Sequence, residues 1–184
     1  RIVDQATGPW GHINFDDFLL HAVDPWSKSG KKSSEAIPEP KEGLSPTEAV
    51  EKMVVPDGFR AELVAAEPDL HQPIALCTDA KGRLWVAEAH SYPVRKTGDK
   101  AKDQILVFED TNGDGRFDKR TVFADDLNLV SGLAVGHGGV WVGAAPYLMF
   151  IPDANCDAVA DGGPEILLDG WGYQDTHETL NSLI

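Results

Sequence analysis

From Phe59 onward, polar and apolar positions alternate in short runs: FRAELVAAE, GRLWVAEA, QILVFED, RTVFAD, GGVWVGAA, YLMFIPD and EILLDG. Gly, Asp, Asn and Pro punctuate them. A period of two predicts strands with one buried face, and many short strands set between turn residues predict an all-β sandwich, barrel or propeller. One helical signal stands upstream, in SPTEAVEKM. Ser45 suits a helix cap, Pro46 the first helical position, and Glu48 the closing residue of a capping box. A short helix over about 46–53 is expected, ended by the turn Pro56-Asp57-Gly58.

A repeat narrows the all-β choice. LVFEDTNGDGRFD begins at Leu106 and MFIPDANCDAVAD at Met149, a shift of about 43 residues. It superposes Asp110 on Asp153, Asn112 on Asn155, Asp114 on Asp157 and Asp118 on Asp161. A second echo pairs GRLWVAEA with GGVWVGAA at a shift of about 56, because HSYPVRKTGDKAKDQ lengthens the first copy. A period of this size with several strands per unit fits propeller blades. The expected fold is a partial β-propeller of about two blades, with a third starting near Asn181. Two blades cannot close a ring, so unpaired edges and a tendency to aggregate are expected.

The first 44 residues read differently. Residues 1–23 alternate and carry Trp10, Phe15 and Phe18, as the tail of an upstream β-sandwich-like module would. Residues 24–44 are rich in Ser, Lys, Pro and Glu, too polar to offset their ordering entropy by burial, and are expected to be a flexible linker. Residues 45–184 form the propeller domain in this reading. The opening RIVDQATGPWGH and the closing ETLNSLI read as cut points, so the chain is expected to be an internal fragment.

Charge and cysteine content prune the functions. A net charge of −14 argues against nucleic acid and against an anionic membrane surface. No apolar run approaches a transmembrane segment. Two cysteines, Cys77 and Cys156, are too few for a disulfide framework or a zinc site. Cys77, in PIALC, reads as a buried small hydrophobe and Cys156 as a loop residue.

The strongest local motif is Asp110-Thr-Asn112-Gly-Asp114-Gly115-Arg116-Phe-Asp118. Side-chain oxygens at positions one, three, five and nine, with the carbonyl of Arg116 at seven, make a hard-oxygen set suited to calcium, and Gly115 allows the sharp turn. Position twelve is Thr121, not the glutamate of an EF-hand, and the flanks are strands. The copy at Asp153, Asn155, Asp157 and Asp161 keeps the oxygens but replaces the glycine by Ala158. The alternative for both is an Asx-rich hairpin turn without an ion. Either way one hairpin supplies every ligand, so the expected role is a brace.

Three stretches carry a family resemblance: LSPTEAVEKMVVPDGFRAELVAAEPDLHQPIALCTDAKGRLWVAEAHSYP, ILVFEDTNGDGRFDKRTVFADDLNLVSGLAVGHGGVWVGAAP and QDTHETLNSLI. Together, over about residues 44–184, they resemble the membrane-bound dehydrogenase domain of planctomycetes, itself similar to soluble quinoprotein glucose and sorbosone dehydrogenases. The resemblance implies a six-bladed propeller and oxidation of a sugar or alcohol with pyrroloquinoline quinone (PQQ). It also implies structural calcium and a c-type haem domain lying downstream as electron acceptor. A periplasmic, secreted or envelope location follows. GPWGHINFDDFLLH resembles the end of a β-sandwich module of planctomycete envelope proteins.

In such dehydrogenases a channel histidine takes the hydroxyl proton. His177, in DTHETLNSLI, matches it, although Glu178, Thr179, Leu180 and Asn181 replace the glycine pair and basic residue of the relatives. Glu88, His90 and Arg95 follow a blade strand and are candidates, with Asn181, for cofactor or substrate binding. Each also reads as an ordinary polar loop residue. Trp85, Trp141 and Phe150 read as blade core, and His71 and His137 as turn residues. Two further classes stay open. One is a non-catalytic propeller binding glycans or proteins, the other a calcium-dependent lactonase, which needs calcium in the channel rather than on peripheral hairpins.

Overall fold

The computed structural model describes residues 43–181 and 183. The upstream module and the linker up to residue 42 lie outside the described residues, as do His12 and His21.

The helix forms where the capping signals put it, as α1 (Pro46–Glu51). Ser45 Oγ accepts from the Glu48 N–H at 3.3 Å, and Glu48 returns a carboxylate oxygen to the Ser45 N–H at 3.0 Å. The Ser45 hydroxyl also donates to a Glu48 carboxylate oxygen at 2.6 Å, and this bond foremost, with that from the Ser45 N–H, holds the Glu48 carboxyl below its ordinary value.

Eight strands follow: β1 (Pro73–Thr78), β2 (Leu84–Glu88), β3 (Asp103–Glu109), β4 (Lys119–Leu127), β5 (Val130–Val135), β6 (Gly139–Ala144), β7 (Tyr147–Pro152) and β8 (Glu165–Asp169). They form two four-stranded antiparallel sheets in sequential order, β1-β2-β3-β4 and β5-β6-β7-β8. The fold is all-β, and the two meanders are arranged as successive blades. Their innermost strands, β1 and β5, pack together.

The shared core explains that arrangement. Trp85, Ala87, Ile105, Val107 and Phe123 line one face of the first sheet and pack with Leu133, Val140, Val142, Met149 and Ile151 of the second. Each large side chain withdrawn from water this way contributes about 1.5–3 kcal/mol. Trp85 is fully buried and meets Phe123 edge-on, while Trp141 and Phe150 are only half-buried. Cys77 is half-buried, Cys156 is exposed, and both are free thiols.

Two differences from the sequence pattern stand out. FRAELVAAE alternates but forms no strand, and among the described residues no strand pairs with it. Ala65 and Leu70 instead lean on the outer face of the first sheet, against Val86, Leu106 and Phe108. β1 and β5 were not among the alternating runs, since PIALCT and VSGLAV carry a proline, a glycine and small residues.

The register of the strands sets two ends to the sheets. The upper end holds the starts of β1 and β5, with Glu88, Gln104, Leu127, Ala144, Tyr147 and Asp169. The lower end holds the β3–β4 and β7–β8 hairpins.

Candidate functional site

The sequence candidates fall at opposite ends. The two Asp/Asn loops, 110–118 and 153–161, lie at the lower end. Glu88, His90, Arg95, His177 and Asn181 lie at the upper end.

The lower loops are built alike. Asp110 accepts from the N–H groups of Gly113 and Gly115 at 2.7 and 2.8 Å, Asn112 from Asp114 at 2.9 Å, and Asp114 from Arg116 at 2.8 Å. In the second loop Asp153 accepts from Asp157 and Ala158, Asn155 from Asp157, and Asp157 from Val159. The loops are closed by Asp118, which accepts from Thr111, and by Asp161, which accepts from Ala154. Thr111's N–H and hydroxyl hold the Asp118 carboxyl below its ordinary value. These are Asx turns, in which side-chain oxygens take over orphan backbone donors. Among the described residues, no group of three or more His, Cys, Asp or Glu is disposed to hold a metal ion. Carboxylate oxygens bonded once keep a second lone pair, and hard oxygens of this kind are the donors calcium takes. Ala158 takes the glycine's left-handed backbone, at φ +65° against +87° for Gly115.

The second loop also ties the sheets together. In the β1–β2 turn, Asp79 takes a 2.6 Å ion pair from Arg83 Nε and a 2.9 Å bond from the Trp85 indole. Burial pushes the Asp79 carboxyl up, but the Trp85 and Arg83 bonds outweigh it and leave the group below its ordinary value. Oriented this way, Arg83 Nη2 reaches the Cys156 carbonyl at 3.1 Å, and Lys81 Nζ reaches the same oxygen at 2.5 Å.

At the upper end, buried Asp103 of β3 accepts from Ser91 Oγ at 2.6 Å and from the Val130 N–H of β5 at 2.9 Å. The Ser91 hydroxyl accepts from the Leu129 N–H at 2.8 Å. This carboxylate fixes the start of β5, and with it the walls of a cleft of about 300 Å³. Ile74, Leu129 and Val130 form the apolar part of the lining; Tyr92, Ser131, Thr176, His177, Thr179 and Asn181 form the rest. Two of the sequence candidates, His177 and Asn181, therefore share one cavity.

His177 sits in a 3-10 turn (Thr176–Glu178) capped by Asp175. Asp175 Oδ1 accepts from the His177 N–H and lies 3.0 Å from its Nδ1. Those bonds hold the Asp175 carboxyl below its ordinary value, the backbone bond foremost. The Tyr92 ring meets His177 edge-on, with centroids 6.0 Å apart. Asp175 and Tyr92 are the residues sequence reading missed. The signal for the first was present in the D-x-H spacing; Tyr92 lies far away in sequence.

The other candidates do other things. Glu88 is fully buried, accepting from the His71 N–H at 2.6 Å and lying 3.1 Å from His90 Nε2. His90 in turn is near Gln104 and His71, in a cluster of its own. Arg95 donates to the Ala145 carbonyl at 2.7 Å and stacks on Tyr147 and Tyr173, at 5.6 and 5.7 Å from their centroids.

Two successive antiparallel blades with a cleft at the mouth of their inner strands define a propeller-type all-β domain. Residues 45–184 match the model of a family described as a domain of unknown function (DUF7133), and the chain belongs to that family. No curated protein and no solved structure matches it.

Proposed function

We propose that this chain contributes the proton-accepting side of a sugar or alcohol dehydrogenase of the propeller type. The observation that carries the reading is the Asp175–His177 pair at the cleft, with Nδ1 and carboxylate 3.0 Å apart. A carboxylate on Nδ1 favours the tautomer whose proton-accepting atom is Nε2 and stabilises the imidazolium that forms, the usual arrangement for a general base. Asn181, Ser131 and Thr179 supply donors and acceptors for neighbouring hydroxyls. With a quinone-class acceptor held by residues outside this cleft lining, the substrate carbon would lose hydride to it while its hydroxyl proton passes to His177, leaving a carbonyl and a reduced quinol.

PQQ, the acceptor implied by the family resemblance, carries three carboxylates. The residues lining this cleft include no lysine or arginine, and Arg95 is engaged by Ala145, so they do not make a seat for it. Calcium fits the lower loops as a brace, in a periplasmic or extracellular setting where millimolar calcium is available. A c-type cytochrome domain is the electron-accepting partner in this reading.

The test is dye reduction by a protein holding the complete domain, over a panel of sugars and alcohols, with and without PQQ. Substrate-dependent reduction that His177→Ala abolishes is expected; no reduction under any condition overturns the reading. A second reading, a glycan-binding propeller without turnover, is favoured by the cleft's mix of a tyrosine ring, aliphatic side chains and uncharged polar groups. It predicts saturable glycan binding that survives His177→Ala. A calcium-dependent lactonase is disfavoured, because the acidic loops sit at the opposite end of the sheets from His177.

A further inference from the structure

Arg95 suits a ligand-binding role by sequence, but its surroundings assign it another. We infer that Arg95 is the positioning residue that clamps the His177-bearing segment over the cleft. The inference rests on the reading of that cleft as the functional site.

Residues 91–96 leave β2 and cross the upper end toward the second sheet. Residues 170–179 leave β8 and come back over the same end. The two segments touch at two places. At one, Tyr92 meets His177 edge-on. At the other, the Arg95 guanidinium lies over both Tyr147, at the start of β7, and Tyr173, in the returning segment. Its Nη1 is bonded to the Ala145 carbonyl. The next residue, Pro146, accepts from the N–H groups of Gly170 and Trp171 at 3.1 and 3.3 Å, so the returning segment is anchored beside the guanidinium. Asn128 holds the far side of the 91–96 segment through reciprocal bonds with the Lys96 backbone, at 3.1 and 2.8 Å.

A planar cation serves these contacts where an ammonium would not. Guanidinium packs on aromatic rings while its N–H groups donate in plane to a carbonyl. From Tyr173 the segment runs two residues to Asp175 and four to His177. The stacking therefore sets where the Asp175–His177 pair stands relative to Tyr92, Ser131 and Asn181. Arg95 does not line the cleft. It acts through Tyr173 on residues that do.

The test compares the intact chain with Arg95→Met and Arg95→Lys. Hydrogen exchange is followed in residues 170–177 and, as a control at the other end of the sheets, in 153–161. The His177 ring-proton shifts are read beside those of His137, which lies in the lower β5–β6 turn. Losing two stacking contacts and a charged hydrogen bond should speed exchange in 170–177 by about tenfold or more. The His177 shifts should move as Tyr92 separates from it, while the control loop and His137 stay unchanged. Arg95→Lys should restore little, since it keeps the charge and loses the planar faces. Unchanged exchange and shifts at His177 would overturn the inference. So would equal acceleration in both regions, which marks general loss of stability. None of these readouts depends on turnover, so failure of the dehydrogenase reading and failure of the clamp are separable.

Discussion

The Arg83 guanidinium of the first sheet donates to the Cys156 carbonyl of the second at 3.1 Å. That bond depends on Asp79, which holds the other side of the guanidinium at 2.6 Å. Asp79 and Arg83 are both nearly buried, so removing either leaves an unpaired charge between the sheets. Asp79→Ala should cost about 3 kcal/mol, measured by urea unfolding. A loss under 1 kcal/mol would mean that Arg83 finds water instead.

The same carboxylate makes a pH prediction. The folded group lies below its unfolded value of about 3.9. Its contribution is therefore complete above that value and is lost as pH falls through the lower, folded value. Melting temperature should fall below about pH 4 in the parent chain. Asp79→Asn should start lower and fall less steeply, and parallel curves would refute the linkage.

How much of this was legible in the residues follows from how far each interaction reaches. Ser45 and Glu48 find each other within one turn, so the helix cap could be read directly. The Asp/Asn loops repeat a local spacing, and both formed the same closed turn. FRAELVAAE misled because alternation describes a side-chain pattern, while a strand also needs a neighbour for its backbone. The upper cleft was half readable. His177 and Asn181 are close in sequence, but Tyr92 reaches them only through the fold. Arg95 lies 50 residues from the carbonyl it binds, and no pattern in the sequence announces such a partner.

Calcium can be separated from the Asx turns at Asp114. Among the described residues its carboxylate accepts only from the Arg116 N–H, and an asparagine oxygen can do the same. Asp114→Asn should leave the melting temperature in chelator nearly unchanged and abolish most of the rise that millimolar calcium gives the parent, a rise expected from binding to the folded state alone. A parent chain whose melting temperature ignores calcium would leave the turn as hydrogen bonding only. Gly115→Ala tests the backbone instead. Nothing lies within 4 Å of the added methyl, yet φ is +87°, so a loss of about 1–2 kcal/mol should come from conformation alone.

Gly143 tests how the cleft is assembled. A methyl group there would overlap the Leu180 carbonyl, and the Ser131 hydroxyl donates to that oxygen at 3.1 Å. Gly143→Ala should push residues 180 and 181 away from β6 and carry Asn181 out of the cleft. Hydrogen exchange in the closing residues should rise while the lower loops keep their protection. If β6 loosens as well, the glycine serves sheet packing more than cleft shape.

The outer faces of the two sheets predict self-association. Leu76 is 67% exposed on β1 and Leu168 is 54% exposed on β8. The internal repeat shows what such surfaces accept. Leu76 sits opposite Val86 in the first sheet as Leu133 sits opposite Val142 in the second, yet Leu133 is buried by the neighbouring sheet. Leu76 thus occupies a position that a preceding sheet would cover, and an uncovered one favours association with any apolar sheet face. Sedimentation of the isolated chain should show concentration-dependent association that Leu76→Lys reduces. Leu168→Lys should reduce it too if the contact runs head to tail, one face against the other. If only one substitution acts, the contact pairs like with like. If neither acts, the exposed faces are not what brings the chains together, and the unpaired 59–67 run becomes the next place to look.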